Sequence, residues 1–396
     1  MSRLSALVLA AAAGAAAVTL GAGSAEPRVT TLRTRPLLLG VMDDALLGAH
    51  TARAFAAVRA LGAGIVRYDV DWPQVAYRRP LRARDPDDPG YRFETVDEVV
   101  RRARRMRVPL LLTIVHTPKW AGGGHEHNRA PRRMRELEDF AYAAATRYSG
   151  KHLDAGGERL PRVTRWEAWN EPNTETHLAP QWVRREGRWH PASPGLYTRI
   201  LRAIYRGIHA AGNDAGVTET VAGGATKPTG AGPTASEPSV APLRFVRMLA
   251  ARRADFDVYA HHPYRISGAD ATSGDNVGLD DLGRLLATLD RVYPGSRLRL
   301  WITEYGVQTN PPDRWSGVPP GQQARMLRRA VAIAHANPRV ELLIWFLLHD
   351  EAIGGRPLGG GFQTGLAYVS GRRKPAWATF RSLARQLHTR AVSGDP

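Results

Sequence analysis

Short apolar, β-branched runs recur eight times along this chain, and an amphipathic segment follows each one. The runs span residues 37–42, 65–70, 109–115, 165–169, 221–225, 256–260, 298–303 and 342–347. Uninterrupted apolar runs of this length read as parallel strands buried on both faces. The segments between them span 49–61, 95–107, 132–148, 194–211, 239–252, 280–293, 320–337 and 375–388. In the fourth, Leu196, Ile200, Ile204 and Ile208 recur every four residues, as one buried helix face requires. Pro194, Gly212-Asn213, Gly321 and Pro375 mark helix boundaries. Eight strand–helix pairs predict an α/β protein, a (β/α)8 TIM barrel over residues 37–390, with a polar arm at 26–36 and a short tail at 391–396. No Pro- or Ser-rich linker divides it, and no longer internal repeat overlies the βα unit.

The connections are asymmetric. Those after the strands are long (72–93, 116–131, 173–194, 227–238, 264–278, 306–320 and 349–370), whereas helix-to-strand turns such as Gly62-Ala63-Gly64 are short. A barrel so decorated builds its site at the C-terminal ends of its strands. Two glutamates sit there. TRWEAWNEPN (164–173) carries Glu171 at the end of the fourth strand, and LRLWITEYG (298–306) carries Glu304 at the end of the seventh. A facing carboxyl pair is what double-displacement cleavage of a glycosidic bond needs, at a separation of about 5–5.5 Å. The attacking group must stay ionised, which a nearby cation favours; the proton donor must stay protonated, which burial favours. Arg67, near the end of the second strand, is the candidate cation beside Glu304, and Asn170 can hydrogen-bond a sugar hydroxyl.

WNEPN, with ITEYG on a later strand, resembles the retaining glycoside hydrolases of clan A, the "4/7" superfamily, and most of all its family 39 and family 5 branches. The resemblance runs from about residue 37 to 387 and implies the same barrel. It makes Glu171 the acid/base, Asn170 its preceding asparagine and Glu304 the nucleophile. It also matches Arg67 in IVRYDVDW to the family's strand-2 arginine. In DVYAHHPY, His262 matches the strand-6 histidine and Tyr264 the tyrosine that bonds the nucleophile. Trp345 in LLIWFLL matches the strand-8 aromatic that floors the subsite for the non-reducing sugar. TPKWA (117–121) and TGLAYVSGRRKPAWATF (364–380) extend the likeness, while the glycine-rich stretch 354–361 departs from it. A carbohydrate substrate is implied, with no cofactor and no metal. Hydrolysis is the expected outcome; a transglycosylase or a silent glycan-binding barrel are the alternatives.

Other chemistry-bearing residues have plainer readings. Glu167 lies within its strand and reads as the buried partner of an inward arginine; Asp69 and Asp71 read as structural pairs of Arg67, with Asp71 near the rim. His125 and His127 have no third spaced ligand and read as loop residues, not a metal pair. His116, at the end of the third strand, is equally a substrate contact or a core histidine, and His261 reads as structural. Trp120, Trp182, Trp189 and Trp315 are each either sugar platforms or loop packing, and ARDPDDPG (83–90) reads as a turn.

Composition adds less. Net charge is +18, and only four of the 55 basic residues are lysine. Such charge suits an acidic partner (a uronic-acid polysaccharide, an anionic envelope or nucleic acid) or a coding bias toward Arg and Ala that spreads arginines over helix surfaces; the second reading is preferred, and no basic block interleaved with aromatics suggests nucleic acid. Arg3, an Ala/Leu/Val run and Gly23-Ser24-Ala25 read as a secretory signal peptide over residues 1–25, which implies a secreted protein; an uncleaved membrane anchor is the alternative. The chain has no cysteine, so its core is held without disulfides.

Overall fold

The computed structural model describes residues 36–265, 274–314, 316–352 and 361–393. The expected signal peptide, nearly all of the arm, Trp315 and the glycine-rich stretch apart from Gly361 lie outside the described residues. In chain order the strands are β1 Leu38–Met42, β2 Ile65–Asp71, β3 Leu110–Val115, β4 Arg165–Ala168, β5 Trp182–Arg185, β6 Arg188–Pro191, β7 Thr220–Thr226, β8 Val258–His261, β9 Leu300–Tyr305 and β10 Val340–Phe346. Eight of them close a parallel barrel in the order β1-β2-β3-β4-β7-β8-β9-β10, and β10 pairs back onto β1. The expected (β/α)8 fold is therefore present, with every expected strand in it. The remaining two strands, β5 and β6, form an antiparallel hairpin in the connection after β4 that periodicity did not predict.

Period-two alternation sorts the barrel's side chains. Leu111, Val258, Trp301, Leu342 and Ile344 pack inside with Met42 and Ile65, while Leu110, Leu112, Leu300, Ile302 and Leu343 pack outward under the helices. Small residues Ala222 and Ala260 leave room for the Trp301 indole in this lower layer. One step further along the strands the interior turns polar, with Arg67, Thr113 and Glu167.

Two irregularities re-aim the ends of strands. Three residues of β7 advance from Gly223 to Thr226 while β8 advances only from Tyr259 to His261. Gly224 accommodates this bulge at φ +105°, where a Cβ would lie 2.6 Å from the Tyr259 ring. Likewise β9 advances from Ile302 to Tyr305 while β10 advances from Leu343 to Trp345. A bulge places successive side chains on the same side, so Thr303 and Glu304 both reach the interior.

The helices follow their apolar stripes. Helix Ser193–Ala215 buries Ile200, Ile204 and Ile208. It outruns its expected end because Gly216, at φ 64°, takes the left-handed terminating position, not Gly212. No described helix is long and apolar enough to cross a membrane.

One buried polar hub ties the last two catalytic-face connections together. Lys374 Nζ donates to Thr309 Oγ1 (2.8 Å), Asp350 Oδ1 (2.6 Å) and the Gln363 carbonyl (2.9 Å). All three ammonium donors are used, a tetrahedral demand that a planar guanidinium cannot meet. Lys374→Met, which strands Asp350 without its counter-charge, should cost about 3–5 kcal/mol in chemical denaturation. Lys374→Arg should also lose more than about 1 kcal/mol. If arginine is tolerated with no loss, the donor count is not what holds this hub.

Candidate active site

Arg67 is completely buried at the mouth of the barrel. Its Nε donates to Thr113 Oγ1 (3.0 Å) and lies 3.2 Å from Glu167 Oε2. Nη1 donates to the Thr303 carbonyl (3.2 Å) and to Glu304 Oε2 (3.1 Å); Nη2 donates to Asn170 Oδ1 (2.8 Å) and lies 3.3 Å from Asp69 Oδ1. Burial alone would weaken this charge, but Asp69, Glu167 and Glu304 outweigh it and hold the guanidinium more firmly protonated than in water. Glu304 receives a second bond on Oε1 from Tyr264 Oη at 2.7 Å. Burial and the facing carboxylate raise the Tyr264 phenol, so it stays a donor. Both oxygens of Glu304 thus meet hydrogen-bond donors.

Glu171 sits on a tight turn just past β4. Trp169 and Glu171 both adopt positive φ (71° and 37°), a costly geometry for residues with side chains. The turn is held by backbone: Glu171 N–H donates to the Ala225 carbonyl (3.0 Å), which the β7 bulge presents. Glu171 Oε1 lies 3.0 Å from His262 Nδ1, whose Nε2 meets Thr303 Oγ1 at 3.0 Å. Burial depresses His262 to about 4, so this ring is neutral. Burial likewise raises the Glu171 carboxyl above the usual range, partly offset by His177, Lys227 and Arg67. The two carboxyls therefore stand in different surroundings: Glu304 meets a guanidinium and a phenol, and Glu171 a neutral imidazole in a buried pocket. An oxygen of each and a nitrogen of His262 lie within 4.8 Å of one another. That trio has the spacing of a cation site, but the adjacent guanidinium already supplies the positive charge there.

Arg67, Asn170, Glu171, His262, Tyr264 and Glu304 thus lie together at the mouth of the barrel. Glu167 is the buried partner of Arg67, and Asp69 pairs with it as well. Asp71 instead faces His116, 3.5 Å away on the rim. His127 packs edge-on against His116, and His261 is a buried structural residue bonded to Thr226 and the Val277 carbonyl. In the 83–90 turn, Asp88 accepts the Leu81, Arg82 and Gly90 N–H groups.

Trp345 corrects an expectation. It is fully buried on the helix side of β10, edge-on to Tyr305, and donates its indole N–H to the Thr364 carbonyl. A sugar platform needs an open face, which this buried ring lacks; strand alternation turns the next residue, not Trp345, toward the interior. Phe346 packs beside the inner layer and lies edge-on to the exposed Phe362. Among the loop tryptophans, Trp120 packs on Trp72 and donates to the Ala76 carbonyl, Trp182 donates to the Ser239 carbonyl, and Trp189 is 45% exposed.

Sequence reasoning also missed His177. Its Nε2 lies 3.4 Å from Asn170 Nδ2 and 3.9 Å from Glu171 Oε2. Arg67 fixes the orientation of the Asn170 amide, so its Nδ2 faces His177 as the donor and Nε2 is the acceptor, with Glu171 beyond hydrogen-bond reach. The residue stands in a loop with no periodicity, and only its position six residues after Glu171 pointed to it.

No protein-family model and no curated protein matches the chain. Solved structures do match. A family 39 glycoside hydrolase from Bacteroides cellulosilyticus WH2 aligns at TM-score 0.63 and 20% identity over 90% of this chain, which spans 65% of that structure's chain. GH5_18 from Streptomyces cattleya, in complex with GlcNAc, aligns at 0.62 and 16% identity over 90% of this chain and 81% of that one. A glucosidase from Croceicoccus marinus aligns at 0.61 and 14% identity, over 89% and 68% respectively. At these identities the likeness is one of fold: the chain has the barrel of these glycosidase structures.

Glu167 offers a test of the buried network. Burial raises its carboxyl to about 7 from 4.5, opposed by Arg67. A group raised on folding binds its proton more tightly in the native state, so its stabilisation is complete below about pH 4.5 and is lost as pH rises through about 7. Denaturation from about pH 5 to 8 should therefore show stability falling more steeply in the wild type than in Glu167→Gln. Parallel slopes would mean that Glu167 does not titrate in this range.

Proposed function

We propose that the protein is a retaining β-glycoside hydrolase that is exported and acts on an oligo- or polysaccharide. The carrying observation is the Glu171–Glu304 pair, whose nearest atoms approach within 4.8 Å at the ends of the fourth and seventh barrel strands. That spacing suits direct attack by one carboxylate; an inverting pair stands about 6.5–9.5 Å apart to admit a water. In this reading Glu304 attacks the anomeric carbon as Glu171 gives its proton to the departing glycosidic oxygen. The sugar is then esterified to Glu304, and Glu171, now a carboxylate, takes a proton from the water that attacks the same carbon. The C–O bond to Glu304 breaks, and both carboxyls return to their starting states. Asn170, held by Arg67, offers an amide N–H to a hydroxyl beside the reacting carbon. The glycosidase structures that share this fold support the reaction class, and the residue 1–25 segment supports export.

Glu304→Ala should abolish turnover of activated aryl β-glycosides. Glu171→Ala should lose about 10²–10⁴-fold on substrates with poor leaving groups and far less on activated ones. Added azide should then yield an α-glycosyl azide from the Glu304 variant and a β-glycosyl azide from the Glu171 variant. NMR of the first-formed wild-type product should show the β-anomer; an α-anomer refutes the double displacement. Sugar transfer to an added acceptor in place of water would mark a transglycosylase. Phe346→Ala should raise KM for aryl glycosides about tenfold or more if this ring floors the reacting sugar, whereas Trp345→Phe should act on thermal stability and leave KM near wild type.

A further inference from the structure

The hairpin β5–β6 stands at the side of the site that carries Glu171. Its base is fixed there: Gln181 Nε2 donates to the Pro172 carbonyl (3.0 Å), and Ala192 N–H donates to the Gln181 carbonyl (2.7 Å). Trp182 docks its indole N–H on Ser239. Register then sets what each face carries. Directly opposed residues of an antiparallel pair share a face. Trp182 opposes Pro191 and Arg184 opposes Trp189, so one face runs aromatic, cation, aromatic. On the other face Arg185 opposes Arg188, and Val183 opposes His190. Glu186, in the turn, is the hairpin's only acid. Two like charges set directly across a ladder destabilise it, and no ion pair forms with Arg184, Arg185 or Arg188 among the described residues. This is a short basic stretch interleaved with aromatics, which the sequence reading did not single out.

We propose that this hairpin is a leaving-group-side subsite for a carboxylated glycan, a polymer of uronic-acid type. The proposal rests on the hydrolase reading, because Glu171 as proton donor faces the departing sugar and the chain continuing from that sugar meets the hairpin. The exposed Trp189 face offers an apolar ring to the C–H face of a pyranose. Arg184 beside it, and the Arg185/Arg188 pair behind, supply the charge that a carboxylate complements and that no protein carboxylate satisfies. A neutral glycan would use the ring and leave the opposed arginines uncompensated. The placement favours a glycan over nucleic acid, since the base of the ribbon is bonded to Pro172, the residue next to Glu171.

The test is affinity electrophoresis of the full chain through gels containing polygalacturonate, alginate or hyaluronan, with hydroxyethyl cellulose as the neutral comparison. At least one uronate polymer should retard the wild type at about 50 mM NaCl, and about 300 mM should weaken the effect; the neutral glucan should retard it far less. Arg185→Gln/Arg188→Gln and, separately, Trp189→Ala should each weaken retention about tenfold with unchanged melting temperature. Arg325→Gln/Arg328→Gln, which removes equal charge from helix Pro320–Ala336, should leave retention as it is. No retardation by any uronate polymer overturns the proposal. So does equal weakening by both double variants, which would reduce the effect to net charge. Single-stranded DNA retained as strongly, with Trp189→Ala without effect, also overturns it. Binding needs no turnover, so a wild type that hydrolyses aryl glycosides but is not retarded refutes the hairpin alone; a wild type that is retarded but hydrolyses no aryl glycoside refutes the catalytic reading alone.

Discussion

A guanidinium with no access to water dominates the upper half of this barrel. An isolated buried charge is untenable, so every neighbour of Arg67 has to be an acceptor or an anion. Those neighbours come from β1 (Met42), β2 (Asp69), β3 (Thr113), β4 and the turn after it (Glu167, Asn170), and β9 (Thr303, Glu304). One side chain thus ties five strands to a common centre. The same bonds orient the groups that face the cleft: Glu304 directly, Asn170 through its amide, and His177 through Asn170. Structural integrity and site geometry are here the same set of contacts.

The backbone completes what Arg67 begins. A regular β9 would alternate Thr303 and Glu304 between core and cleft; the bulge turns both inward, where Thr303 serves His262 and Glu304 serves Arg67 and Tyr264. The β7 bulge presents a carbonyl to the Glu171 amide and so supports a turn with two unfavourable φ values. Side chains supply the partners of each carboxyl, and main chain sets where it stands.

Much of this was legible in the sequence, for definite reasons. Buried strands and amphipathic helices are repeated signals, and eight repetitions of one unit leave few folds open. Glu171, Glu304, Arg67, Asn170, His262 and Tyr264 were legible because they lie on strand ends whose register the motifs fix. Trp345 was misplaced because the platform position depends on which parity of β10 faces the cleft, and WF offers an aromatic of either parity. The Glu167 pairing was legible, since a carboxylate inside a buried strand requires a cation. The hairpin was not: each of its strands has four residues, too few for alternation to stand out, and its turn at Glu186-Gly187 uses positive φ at both positions without an Asn-Gly signal.

The two ends of that hairpin are clasped at Gln181, whose carbonyl accepts the Ala192 and Ser193 amides and whose side chain accepts the Ser193 hydroxyl. Outward of this clasp Trp182 still docks on Ser239 and packs against the core, so it is the ribbon beyond it, residues 183–190, that is modular with respect to the barrel. A longer, shorter or differently charged ribbon could be exchanged there without repacking a core residue or disturbing the guanidinium network. The outer ribbon and the buried guanidinium centre are thus mechanically separate: a change of length or charge in one need not propagate to the other.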